Sequence, residues 1–99
     1  MAPRLQLHEI LESFVDNVYF QPPTNITLEY PCIIYKRDYA ETEFADNNPY
    51  SHTIRYMITV IDRDPDSDIP SKVASMPMCL FNRFYTVENL NHDVYRVFF

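Results

Sequence analysis

Four aspartates alternate through Asp62, Asp64, Asp66 and Asp68, a spacing that could chelate calcium. An EF-hand loop also needs glycine at its sixth position for the sharp turn and a bidentate glutamate at its twelfth. Counted from Asp62, those positions hold Ser67 and Val73, and Pro65 stiffens the middle. The run therefore reads as a solvated acidic turn whose last carboxylates favour the N-terminus of a following helix. His8, His52 and His92 occur singly, with no HxH or HExxH spacing, so they read as surface or capping residues on an outward helix position, a strand start and a turn. Cys32 and Cys79 lie in PCIIY and MCLF. Their separation suits neither zinc nor a redox CxxC pair, and both read as reduced core thiols. Catalytic triads assemble only in space, and nothing in the chain favours one. No catalytic, cofactor or metal residue is assigned, and the chain reads as a non-enzyme.

Composition narrows the classes further. The chain has no glycine, which excludes Walker and Rossmann phosphate loops in their usual form, because both need close backbone approach. Turns must use Pro, Asn and Asp, as at Asp46-Asn47-Asn48-Pro49 and Asp64-Pro65-Asp66. The net charge of −6, with eight scattered Lys and Arg, argues against a clamp on nucleic acid. Acidic charge serves solubility, or a surface past which DNA slides without sticking. The segment MAPRLQLHEI lacks the basic-then-apolar pattern of a signal peptide. No apolar run approaches the roughly 20 residues that span a bilayer.

Periodicity gives the helices and strands that carry these residues. Ninety-nine residues suit one domain, 1–99, whose own core is modest, since a chain of this size hides only about two thirds of its unfolded surface. Yet 46% of residues are apolar, with eight Tyr and seven Phe. The excess fits a core plus a subunit interface better than a core alone. Pro3 suits a first helical turn. Leu7, Ile10, Leu11, Phe14 and Val15 then form one apolar stripe, with Glu9, Glu12 and Asp16 on the solvated side and an end near Asn17. A short strand, Val18 to Phe20, is cut by Pro22-Pro23. Leu28 to Tyr39 reads as the next strand, and Asp38 to Tyr50 as a long loop or a β-arm.

In SHTIRYMITVID, Ile54, Tyr56, Ile58 and Val60 alternate with Arg55, Met57 and Thr59, the period of a pleated strand. Met57 and Ile61 make its second face partly apolar, leaving that face spare for a neighbour. Ser67 or Asp68 can cap a short helix that Pro77 ends. Leu80 to Val87 and Asp93 to Phe99 read as strands, joined by a turn at Asn89 to His92. Along the last strand Tyr95, Val97 and Phe99 share one face, and Val94, Arg96 and Phe98 the other. Such a strand is either sheet interior or an edge that pairs with another chain. The order predicts an α+β fold: an N-terminal helix and a mostly antiparallel sheet, with a second short helix packed on it and both helices on one face.

The N-terminal helix with NVYFQPP, then YPCIIYKRD, HTIRYMITVIDRDPDSDIPSKV and FNRFYTVENLNHDVYRVFF together resemble the tail terminator, or tail completion, proteins that join tail to head in long-tailed bacteriophages. The resemblance runs in order over nearly the whole chain and rests on scaffold rather than catalytic residues. It implies a virion protein of the neck, made in the host cytoplasm, that forms a ring, commonly a hexamer. Such a ring caps the last ring of tail tube protein and meets the head-side connector, while genome DNA passes through its lumen without specific binding. Candidate ring or lumen contacts are Glu41, Glu43, Asp46, Asp62, Asp64, Asp66, Asp68, Tyr95, Phe98 and Phe99. The alternatives are a head-side adaptor or stopper of the same neck and a small non-structural phage binding module.

Overall fold

A computed structural model describes the backbone of residues 3–23, 25–45 and 48–99, and side chains for 4–23, 25–38 and 54–99. The elements run α1 (Pro3–Glu12), β1 (Asn17–Phe20), β2 (Cys32–Ala45), β3 (Asn48–Asp62), α2 (Ile69–Ala74), β4 (Cys79–Val87) and β5 (Leu90–Phe98). The five strands form one sheet in the order β1-β2-β3-β5-β4. All neighbours are antiparallel except β1, which lies parallel to β2. The architecture is the expected α+β.

Register defines two faces, because residues directly opposite across a ladder point the same way. Ile33 lies opposite Val60, Tyr35 opposite Ile58 and Ile58 opposite Tyr95. These residues join Leu7 and Leu11 of α1 and Ile69 and Val73 of α2 in a single buried cluster. Both helices thus cover the same side of the sheet, as their apolar stripes required. The opposite side has no helix among the described residues.

Several boundaries differ from the sequence reading. Helix α1 ends at Glu12, not near Asn17, because Ser13 and Phe14 donate their N–H groups to Ile10 and Leu11 and tighten the chain into a turn. Phe14 and Val15 still reach the core from that turn, whereas Ile10 is exposed. Pairing in β2 starts at Cys32 rather than Leu28, since Pro31 has no N–H for the ladder. The Asp38 to Tyr50 stretch is a β-arm rather than a loop, with Ala45 opposite Asn48. Asp46 and Asn47 of the expected turn lie outside the described residues.

The β4–β5 turn lies earlier than expected, at Glu88 and Asn89, with Val87 opposite Leu90. Both residues have positive φ, 50° and 66°, the handedness a two-residue hairpin needs to match strand twist. A glycine-free chain meets that need with a glutamate and an asparagine.

The last strand is interior: β5 sits between β3 and β4. The sheet edges are β1, only four residues long, and β4, nine residues long.

Candidate functional site

The acidic turn is occupied by its own backbone. Asp62 Oδ1 accepts the N–H of Asp64 at 2.9 Å, and Asp64 Oδ1 accepts that of Asp66 at 2.9 Å. These are side chain-to-backbone turns of the kind aspartate favours where glycine is absent. Asp68 occupies the N-cap position of α2 without a side-chain cap bond, and it pairs with Lys72 one turn on at 3.5 Å. Ser67 Oγ accepts the Ile69 N–H at 3.3 Å. Among the described residues, no three His, Cys, Asp or Glu converge as metal ligands.

His8 is not outward-facing. Its Nδ1 lies 2.7 Å from the Tyr35 hydroxyl, and its Nε2 3.7 Å from Glu12. Arg4 donates to the same hydroxyl at 3.3 Å and stacks over Phe20 at 4.5 Å. Burial pushes the Tyr35 hydroxyl above its usual pKa, with Arg4 opposing. Glu12, His8 and Tyr35 form a relay on paper, but Tyr35 is fully buried. A hydroxyl sealed between α1 and the sheet meets no substrate; it fastens the helix.

Cys32 is buried and Cys79 half-buried, and both are free thiols. Burial, then the nearby Asp62 charge, pushes the Cys32 thiol up to about 11. Burial raises that of Cys79 as well.

The other candidates are scattered. Tyr95 is buried beneath the helices, its ring edge-on to Phe81 at 5.5 Å. Phe98 is half-buried and Phe99 exposed. Glu41 and Glu43 belong to the backbone of the β2 arm, and their side chains lie outside the described residues, as does all of Asp46.

The sequence reading gives β4 as a strand over Leu80 to Val87 but names none of its residues as contacts. Its Leu80, Phe81, Phe84 and Val87 remain 64%, 59%, 55% and 50% exposed. Phe81 and Phe84 lie on the helix side, opposite Tyr95 and Asp93, whereas Leu80 and Val87 lie on the open side, opposite Arg96 and Leu90. The reason is coverage. Helices of ten and six residues are about 15 and 9 Å long. Helix α2 packs against β4 and β5, but about 9 Å of helix covers only part of the roughly 30 Å of a nine-residue strand, and Cys79 is the β4 residue that meets the core. The signal was present in CLFNRFYTV, where apolar residues fall on both faces without polar alternation.

The open face carries a second missed feature. Between Arg37 and Tyr39 the β2–β3 register shifts, and Asp38 is the extra residue, a bulge of the kind that re-aims a side chain. Its Oδ2 lies 2.8 Å from Arg55 Nε and 3.4 Å from Arg96 Nε. Arg96 Nε is buried and makes no hydrogen bond, so its attraction to Asp38 is electrostatic. Nearby, Lys36 and Arg83 border a hollow of about 260 Å³ whose lining includes Ile34, Met57 and Val94.

No family model matches the chain, and no curated protein matches it.

Among the described residues, β4 offers a surface at the edge of the sheet. A long edge strand with a free row of N–H and C=O groups and apolar side chains on both faces is a template for pairing with another chain.

Proposed function

We propose that this chain is a structural, non-catalytic ring subunit of the neck of long-tailed bacteriophages. The ring caps the tail tube and joins it to the head-side connector, and genome DNA passes through its lumen. One observation carries the assembly part of this reading: β4 is nine residues long, has no strand on its outer side among the described residues and carries apolar side chains on both faces. Soluble monomers blunt such edges with charge, proline or brevity. Here Arg83 is the strand's one charged residue. The other edge, β1, is blunted by its length of four residues. The net charge of −6 suits a lumen that repels the phosphate backbone, and the exposed aspartates at 64, 66 and 68 are candidates to line it.

Native mass spectrometry across a concentration series, combined with imaging of the oligomer, tests the reading. A closed ring, commonly a hexamer, that binds tail tubes supports it. A ring that binds only the connector makes the chain a head-side adaptor or stopper. A chain that stays monomeric at millimolar concentration and is missing from purified particles is the non-structural binding module, and the proposal fails.

A further inference from the structure

The open face of the sheet runs against the charge of the chain as a whole. One transverse row reads Lys36, Met57, Arg96, Leu80, and the next reads Ile34, Thr59, Val94, Arg83. With Arg55, which also lies on that face opposite Phe98, this places four of the eight Lys and Arg of a net-acidic chain on one side. Asp38 offsets one of them. Lys36 and Arg83 are exposed and both line the hollow.

The β2–β3 arm has the opposite character. Pairing of β3 with β5 ends at Arg55, while β2 and β3 go on pairing from Ala40–Ile54 to Ala45–Asn48. That is about six further rungs, or about 20 Å of two-stranded ribbon. The long axis of the molecule is 52 Å against 26 and 23 Å for the others. Between Asp38 and Ile54 the sequence contains Glu41, Glu43 and Asp46 and no Lys or Arg. A lone two-stranded ribbon is marginal in water and needs a surface to lie on.

We propose that the arm of one copy lies across the open face of the next, so that an acidic segment of the chain meets the face that carries Lys36 and Arg83. The inference rests on the self-assembly reading above and names its second contact. The dimensions agree, because a ribbon of about 20 Å spans a sheet about 19 Å wide. The arm and the face are different patches of the same chain. Their contact is therefore heterologous, the type that generates rings when the rotation closes. The hollow mixes Ile34, Met57 and Val94 with Lys36, Thr59 and Arg83, so an acidic protein arm can meet both kinds of group, whereas nucleic acid would answer chiefly the cations.

Charge reversal in the full chain tests it. One variant carries Glu41→Lys with Glu43→Lys; the other carries Lys36→Glu with Arg83→Glu. Sedimentation at low salt should show each variant alone associating about tenfold more weakly, the scale of two surface ion pairs turned repulsive. Mixing the two should restore association, because each reversed arm then meets a face of opposite sign. If mixing restores nothing, or neither reversal matters, the inference falls. Phe84→Lys separates it from the reading beneath: if that variant disrupts assembly while both charge reversals leave it intact, β4 assembles the ring without the arm. If the wild type never associates, both fail. If the wild type binds a duplex oligonucleotide through Lys36 and Arg83 and arm reversal leaves assembly unchanged, the occupant is nucleic acid and the inference is overturned.

Discussion

Phe84→Lys is the sharpest perturbation of the proposed edge contact. The Phe84 ring is 55% exposed, and a phenylalanine presents on the order of 200 Å². A neighbour covering the remainder would bury roughly 110 Å², which at about 25 cal/mol per Å² is about 2.7 kcal/mol for each contact. Association costs absorb part of any such gain, so this is an upper bound. Loss of the ring should weaken association by up to about 100-fold. Folding should barely change. Phe84 lies opposite Asp93, and the new ammonium gains a cross-strand carboxylate worth about 0.2–1 kcal/mol. Urea denaturation reads the fold and sedimentation velocity reads the assembly. A variant that keeps wild-type stability and wild-type association would refute β4 as the contact. A variant that unfolds would show the ring to be internal to the fold.

Other expectations follow from the same geometry. Burial raises the Asp93 carboxyl above 3.8, with His92 opposing. The folded state therefore holds that proton more tightly than the unfolded chain, and stability is lost as pH rises through the interval just above 3.8. Asp93→Asn should be more stable than wild type at neutral pH, and thermal melts should show the advantage vanishing below that interval. Cys32, pushed up to about 11, should resist a thiol reagent at pH near 8 until urea unfolds the chain, with half-buried Cys79 reacting first. Asp38→Asn removes the carboxylate shared by Arg55 and Arg96. It should cost about 1–2 kcal/mol in urea denaturation, less at high salt because these groups are partly solvated. Glu88→Asn should raise stability by about 0.5–1 kcal/mol on thermal melting, since asparagine tolerates the positive φ at that turn.

Periodicity made most of the fold legible. Leu7 and Leu11 are buried as the helical stripe required, and Tyr56, Ile58 and Val60 are buried as the strand alternation required. In both cases the side chain's direction follows from position along a single element. Element ends were less legible, because they depend on local bonds such as Ser13 closing on Ile10. The acidic run was legible as a turn, since aspartate binds its own backbone within two residues.

Local patterning was enough for the α+β class, the helix and strand faces and the acidic turn, because each is decided within a few neighbouring residues. Long-range pairing alone put β5 inside the sheet and β4 at its edge. It also decided that Asp38 meets two arginines and that Lys36 and Arg83 border one hollow. Strand order and register join residues far apart in the chain, and a strand's alternation is the same whether its neighbour is another strand or water.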